Sequence, residues 1–362
     1  MKIKNIFFAA ILVLAGFSCS MEDDAIMNDV EKGIEEATEA YTVLDFGVAF
    51  NEMATKASTT VVPGEDRPAT GDENNDEKKI SEVSVFLLED GKVIGILIPQ
   101  NRNQVSSNSD GSITLKDLKF VTKYKTNRTL EAHVVINGNQ FLKKINIGDA
   151  QSALNQQISG CLSADQLIKY GSTRIVFGKD ITNSYSSPSV AENNPTTILV
   201  KVSHVAARLD FSQFDVTLND FEGNPTVVFD EAKFVNLQQN GKIVEGDASV
   251  NVKDGAFLNR SNRIGTKWTD MGTAYGYANQ YKQDSEMNTA LYVKFTVDGR
   301  TFEKTYPINP AGITKEVDHN GIKGGYLYDI KVRWTITPDW GDSTIEFYTR
   351  DWVHNSIPEI VL

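Results

Sequence analysis

The sequence predicts an all-β protein made of two β-sandwich domains in tandem, with little helix. Short runs rich in Val, Ile, Phe and Tyr recur along the chain and are separated by Gly, Asn and Asp turn signals. Hardly any stretch has the 3.6-residue apolar period of an amphipathic helix. The 362 residues suit two domains of roughly 100–200 residues each. A Ser-, Asn- and Pro-rich stretch at residues 183–196 divides the two groups of strands.

The segment at residues 1–18 predicts export as a lipoprotein. Lys2 and Lys4 precede an apolar run at residues 6–17, which is too short for the ~20 residues of a membrane helix and is typical of a signal peptide. Ser18 then precedes Cys19, and a small residue before a cysteine is the bacterial lipoprotein pattern. We therefore expect lipid, including palmitate, on Cys19. The alternative is an ordinary signal peptide with an incidental cysteine.

Residues 19–56 are interpreted as a propeptide that contains an acidic tether and a temporary strand. The strand follows from alternation along residues 41–51, where the apolar side chains are separated by Asp45, Gly47 and Ala49. Its apolar face is formed by Leu44, Phe46, Val48 and Phe50.

A segment that proteases can reach is expected directly after this strand. The chain as far as Lys79 contains two Pro, two Gly and many acids, and a backbone of that composition has few hydrogen bonds to hold it. Lys56 followed by Ala57 suits a trypsin-like enzyme, with Arg67, which precedes a proline, as the fallback site. The alternative is an interdomain linker behind a permanent tether strand.

The body of the chain is divided into a first sandwich at residues 57–195 and a second at residues 196–341. In the first, the sequence also predicts a short helix at residues 167–170, because Ser163 and Gln166 have the capping-box spacing and Gly171 follows. The predicted strands are residues 83–88, 93–98, 113–115, 120–124, 133–136, 174–177, 197–211, 226–229, 233–235, 290–297, 301–306 and 328–336.

The last segment, residues 342–362, is apolar where most chain ends are polar. An unpaired apolar strand is prone to aggregate, so this segment either completes its own sheet or pairs with another molecule. We interpret it as a donor strand, whose outermost part is residues 355–362. The candidate residues are Ile345, Phe347, Trp352, Val353, Ile357, Ile360 and Leu362.

Composition and motifs provide no support for catalysis or nucleic-acid binding. The formal net charge of −12 lacks the basic surface that phosphates require. The chain contains no zinc-binding motif, nucleophile elbow or phosphate loop, so we expect no enzyme activity, metal or cofactor. Four aromatic residues suggest an alternative function, stacking on sugar rings, although burial is the commoner fate of such residues. They are Trp268, Tyr275, Tyr277 and Tyr281.

Three motifs together resemble the fimbrillins, the type V pilins of Gram-negative anaerobes. Residues 200–211 (VKVSHVAARLDF) resemble the strand that opens the second fimbrillin domain. Residues 325–336 (GYLYDIKVRWTI) resemble the penultimate strand, and residues 347–353 (FYTRDWV) resemble the last strand. The order of the motifs, the lipoprotein signal and the basic cleavage site fit the same family.

The resemblance implies a major fimbrial subunit with transthyretin-like sandwiches. Such a precursor travels to the outer membrane as a lipoprotein, where a trypsin-like surface protease removes the propeptide with its strand. The donor strand of another copy then fills the open groove, and repetition builds a homopolymeric fimbria on the cell surface. Accessory tip and anchor subunits are the further partners that the resemblance implies. The alternatives are a tip or anchor subunit, a glycan-binding surface lipoprotein and an enzyme, for which no catalytic residues can be named.

Overall fold

The structure is a computed structural model that describes residues 39–50, 75–109, 112–244, 246–259, 263–309, 320–351 and 359–360. Its regular elements are nearly all strands, which confirms the predicted all-β class with little helix. Two short helices, α1 (Asn139–Leu142) and α2 (Pro188–Glu192), accompany four 3₁₀ turns in this part of the chain. None of the described helices is long and apolar enough to cross a membrane.

The strands are numbered in chain order. Those before residue 206 are β1 (Tyr41–Phe50), β2 (Lys79–Ile80), β3 (Val83–Glu89), β4 (Lys92–Leu97), β5 (Val105–Ser107), β6 (Ile113–Lys123), β7 (Thr129–Ile136), β8 (Gln157–Ser159), β9 (Lys169–Val176) and β10 (Thr196–His204). Those after it are β11 (Ala207–Leu218), β12 (Val227–Val235), β13 (Leu237–Gln238), β14 (Asn240–Lys242), β15 (Val252–Lys253), β16 (Phe257–Asn259), β17 (Arg263–Ile264), β18 (Lys267–Gly276), β19 (Ala290–Val297), β20 (Arg300–Pro307), β21 (Tyr326–Ile336), β22 (Gly341–Asp351) and β23 (Glu359–Ile360).

The first sandwich is built from an eight-stranded path in the order β4-β3-β7-β9-β10-β1-β6-β5. Strand β10 links its two layers, because Ser203 and His204 pair with β9 while the preceding residues of β10 pair with β1. Apolar side chains of β3 and β7 thereby meet those of β1, β6 and β10 in one core. Alternating apolar residues along these strands account for the closure of that core.

The second sandwich packs the sheet β18-β11-β21-β22 against the sheet β16-β12-β19-β20. Phe214 of β11 stands at the centre of its core. The Phe214 ring lies 5.3 Å, centroid to centroid, from each of the Phe229, Phe295 and Trp268 rings. Edge-to-face and tilted contacts of this kind add to the burial energy of the large aromatic side chains.

A third apolar cluster joins the two sandwiches. It brings Phe86 and Leu154 of the first half together with Ile243, Tyr277 and Leu327 of the second. The described residues of the two halves, from Glu39 onward, are therefore parts of one compact unit.

Two features of the structure differ from the sequence analysis. Strand β10, assigned to the second domain by the boundary at residue 196, is hydrogen-bonded within the first sheet, and the chain enters the second sandwich only at β11. The predicted helix at residues 167–170 is wrong. The Ser163 side chain makes no capping bond, and Lys169 and Tyr170 pair with β7 as part of β9.

Candidate functional site

The candidate site is the groove in the first sandwich that β1 occupies, hereafter the β1 groove. Strand β1 lies between β10, to which it is parallel, and β6, to which it is antiparallel. Its pairing with β10 runs without a break from Leu44 opposite Thr196 to Phe50 opposite Val202. Both edges of β1 are therefore hydrogen-bonded, and β1 is a central strand.

The inner face of β1 fills the first core as the alternation predicts. Leu44, Phe46 and Val48 are fully buried, and Phe50 is 6% exposed. Their neighbours in the core include Ile113 and other residues of β6, β7 and β10. Burial of four such side chains stabilises the fold by roughly 6–12 kcal/mol before opposing terms are subtracted. The β1 groove is thus a long apolar site with main-chain partners on both sides.

Residues 182–195, hereafter the flap, lie against β1 and extend its pairing beyond the start of β10. Tyr41 and Tyr185 exchange two main-chain N–H···O hydrogen bonds of 2.8 Å each. Helix α2 of the flap packs against β1 and β6, with Ser187 as its N-cap and Pro188 in its first turn. Lys119 of β6 holds the flap in place by donating from Nζ to the Glu192 carbonyl oxygen at 2.7 Å.

Asp45 is the one acidic residue in the middle of β1. The register with β6 shifts between Leu44 and Phe46, at the position of Asp45. Its Oδ1 atom is buried and has no hydrogen-bond partner within the described parts of the chain. A buried polar atom in that condition destabilises its site, so β1 is seated by its apolar face and its main chain rather than by its polar side chains.

Most of the predicted processing and donor residues lie outside the described ranges. These are Cys19, Lys56, Ala57, Arg67, Trp352, Val353, Ile357 and Leu362. Lipidation, cleavage and strand donation at those positions therefore stay predictions.

Two predicted donor residues lie in β22, an edge strand of the second sandwich. Ile345 is opposite Val332 and packs against the second core, and Phe347 is opposite Ile330. A third, Ile360, lies in β23, which pairs in parallel with β2 so that Ile360 is opposite Ile80. In this structure the described C-terminal residues thus pair with sheets of their own chain.

The four aromatic residues singled out for sugar stacking do not form an exposed platform. Trp268 is 5% exposed and lies in the second core against Phe214. Tyr277 is buried at the junction of the sandwiches, and its hydroxyl donates to the Gly160 carbonyl oxygen at 2.7 Å. Tyr275 and Tyr281 are partly buried. The glycan-binding alternative loses the surface on which it depended.

A buried charged cluster around Glu77, hereafter the Glu77 cluster, fixes the chain just after residue 74, and no motif in the sequence indicates it. Glu77 accepts a 2.5 Å hydrogen bond from the Tyr275 hydroxyl and a 3.1 Å bond from Arg208 Nη1. Arg208 Nε in turn donates to Asp210 Oδ1 at 2.9 Å, and Lys169 Nζ donates to the Glu77 carbonyl oxygen at 2.8 Å. Burial, and then the Glu77 carboxylate, raise the pKa of Tyr275 well above its ordinary value.

Cys161 is a half-buried free thiol whose Sγ accepts a 3.1 Å hydrogen bond from Gln140 Nε2. Burial raises the pKa of this thiol, which disfavours the reactive thiolate. In the described part of the chain, no group of three His, Cys, Asp or Glu residues is placed to hold a metal ion.

The fold and the occupied β1 groove define an all-β protein of two joined sandwiches. No family model matches the chain, and no curated protein matches it in sequence. A crystal structure of a candidate cell adhesion protein from Parabacteroides distasonis is similar, with a TM-score of 0.59 and 16% sequence identity. The match covers 88% of this chain and 99% of that one, which shows that the two share a fold.

Two further solved structures are fimbrial proteins of Porphyromonas gingivalis. The fimbrilin FimA is 15% identical, with a TM-score of 0.48 over 86% of this chain and 98% of its own. The tip fimbrial protein Mfa3, crystallised with a C-terminal truncation, is 12% identical, with a TM-score of 0.44 over 86% of this chain and 100% of its own.

Proposed function

We propose that this chain is a structural subunit of a surface fimbria that polymerises by protease-triggered donor-strand exchange. The observation that carries the proposal is β1, a fully paired central strand that the chain reaches before the rest of the sandwich. Residues 51–74 connect it to the body and contain the basic sites Lys56 and Arg67. The shared fold with a candidate cell adhesion protein and the fimbrial names of further similar structures support a role of this kind.

A cut after Lys56 would free β1 from the polypeptide that holds it. Its departure would leave main-chain groups of β6 and β10 unpaired and open an apolar groove to water, two changes that both favour a replacement strand. We assign that strand to the C-terminal segment, residues 342–362, of another copy, in which the part beyond β22 enters the groove. Because donor and acceptor sites differ, the contact is head-to-tail and repeats into a filament.

In this proposal, the lipid on Cys19 holds the precursor at the outer membrane until the cut. Residues 1–56 contain 4 Lys/Arg and 10 Asp/Glu, so their loss changes the formal net charge from −12 to −6. The processed subunit then carries half of the negative charge with which copies repel each other. The further partners are the surface protease and the tip and anchor subunits.

Truncation of the donor segment tests the proposal. Deletion of residues 352–362 leaves β22 in its own sheet, and we expect that variant to stay monomeric after limited trypsin digestion, whereas the full chain polymerises. Size-exclusion chromatography and electron microscopy measure the difference. Lys56→Ala combined with Arg67→Ala is the matched control, because it keeps the donor and removes both predicted cut sites.

N-terminal sequencing of surface material completes the test. A subunit beginning at Ala57 supports the proposal, whereas a lipidated, uncut chain would identify an anchor. Filaments formed by the variant that lacks residues 352–362 would overturn the assignment of the donor.

A further inference from the structure

Gly47 lies in the middle of β1, between two strands that crowd the space into which a side chain would extend. A Cβ atom on Gly47 would lie 3.2 Å from Leu199 Cδ1, on β10, and 3.3 Å from the Ile113 carbonyl oxygen, on β6. Real Cβ atoms rarely approach other atoms so closely. The main-chain partners of Gly47 are Leu199 and Thr114, so the constriction is formed by the two strands that line the β1 groove.

Space, and not backbone conformation, is what favours a small residue at this position. Gly47 is not among the glycines with positive φ in the described chain, so any L-residue adopts its extended backbone. One wall of the constriction is the Leu199 side chain, which can move because it is 52% exposed. The other is the backbone of Ile113, which is held in the pairing of β6 with β1.

We propose that the β1 groove selects its replacement strand by size at the Gly47 position. The strand that fits carries a small residue at that position, for which Leu199 needs to move by only a few tenths of an ångström. It carries apolar residues at inner-face sites of the groove, among them those of Leu44 and Val48, and it runs parallel to β10. This inference rests on the proposed function and names the feature by which one copy recognises an extended segment of another.

The size requirement narrows the register of the donor segment. Within residues 342–362 the residues as small as Ser are Ser343 and Ser356. Placing Ser356 at the Gly47 position puts Val353 at the site of Leu44 and Ile357 at the site of Val48, while Asn355 and Glu359 take the sites of Phe46 and Phe50. Placing Ser343 there puts Trp340 and Thr344 at the first two sites and two acids, Asp342 and Glu346, at the others, which is the costlier arrangement in an apolar groove. The register through Ser356 is therefore the one that we assign.

Synthetic peptides test the selection on the full chain. The precursor is cleaved with trypsin in the presence of excess fluorescent peptide of residues 41–51, and chromatography separates capped monomer from polymer. We expect the natural peptide to cap the monomer and the Gly47→Val peptide to bind at least tenfold more weakly. An Ala49→Val peptide places the same valine side chain on the same face two residues further along, and we expect it to bind within threefold of the natural peptide.

A compensating change in the acceptor identifies the constriction itself. Leu199→Ala removes the movable wall and is expected to restore most of the binding of the Gly47→Val peptide. Equal binding of the natural and Gly47→Val peptides would overturn size selection while leaving strand exchange intact. A natural peptide that never caps the monomer would instead overturn the proposed exchange, and size selection with it.

Discussion

Phe46 is the largest fully buried side chain of β1 in the first core. Phe46→Ala removes a buried ring, and we expect the free energy of unfolding of the precursor to fall by about 3–5 kcal/mol, since the cavity adds to the lost transfer energy. Urea denaturation measures the change. Ile147→Ala removes an apolar side chain that is 69% exposed and should stay within about 0.5 kcal/mol.

Phe46→Ala should lower the stability of the precursor but not that of the filament. If β1 is discarded on processing, Phe46→Ala filaments lack the altered residue and should dissolve at the same denaturant concentration as the natural ones. Filaments weakened by Phe46→Ala would show that β1 remains in the assembly.

His133 makes the stability of the fold depend on pH. Its ring is buried on β7, with Nδ1 2.7 Å from the Tyr170 hydroxyl oxygen and Nε2 3.3 Å from Glu131 Oε2. Burial lowers the pKa of His133, more than Glu131 raises it. The unfolded chain therefore binds the proton first as the pH falls, and the free energy of unfolding decreases below a pH of about 6.5 until the folded-state pKa is passed.

We expect His133→Gln to flatten this dependence between pH 7 and pH 5. The measurement is the free energy of unfolding by denaturant at several pH values for both chains. The absolute stability of the variant is not the criterion, because the hydrogen bond to Tyr170 also changes. Parallel curves for the two chains would contradict the assignment to His133.

The pairing of β1 with β10 provides a site at which the release of β1 can be blocked by a crosslink. Val48 and Val200 are Cα partners in that parallel pair, and both side chains are buried. Neighbouring strands lie about 4.8 Å apart, within the Cα separation that a disulfide spans. In a Cys161→Ser background, Val48→Cys with Val200→Cys should form a crosslink that holds β1 in place after the cut.

Polymerisation should then depend on reduction. We expect the oxidised double variant to remain monomeric after cleavage and to polymerise when a thiol reductant is added, as followed by light scattering. Each single-cysteine variant provides the control, since it polymerises in either condition. Polymerisation of the crosslinked chain at the normal rate would show that β1 does not have to leave.

Local sequence pattern was sufficient for β1 but not for every element. The alternation of Leu44, Phe46, Val48 and Phe50 predicts a half-buried strand, and the structure confirms the strand and its buried face. Residues 167–170 have helix-start chemistry nearby, yet pairing with β7 makes Lys169 and Tyr170 part of a strand. Long-range pairing therefore overrode a local capping signal.

The strands that line the β1 groove are distant from β1 in sequence, and for that reason the sequence did not predict which strands they are. The sequence places residues 197–211 in one strand of the second domain, whereas β10 ends at His204 and belongs to the first sheet. No pattern within β1 reveals that its neighbour is about 150 residues away. The constriction at Gly47 likewise arises from Leu199 and Ile113, and a lone glycine in a strand does not identify them.

The Glu77 cluster connects distant parts of the molecule: it binds the first described residues after the predicted cut to the second sandwich. The Glu77 side chain is fully buried, and that of Arg208 is 13% exposed. Arg208→Met removes the positive charge beside a buried carboxylate, and we expect the unfolding free energy to fall by about 3–5 kcal/mol. Arg102→Met, at an exposed position, is the matched control.

Differential scanning calorimetry of precursor and processed subunit completes that measurement. The decrease in stability caused by Arg208→Met should be the same in both forms, because Glu77, Arg208 and Tyr275 all lie after residue 56. A loss confined to the precursor would show that the cluster is linked to the seating of β1. No loss in either form would show that the ion pair contributes little to stability.

The connection through residues 51–74 gives β1 an advantage that no separate strand shares. While that connection is intact, a displaced β1 searches for its site as part of the same molecule, at an effective concentration in the millimolar range. A cut at Lys56 would turn this return into a bimolecular encounter with a peptide that diffuses away. Strand replacement would then run in one direction, because the released peptide is diluted and seldom rebinds. Dilution of the peptide would determine that direction as much as the affinity of the incoming strand.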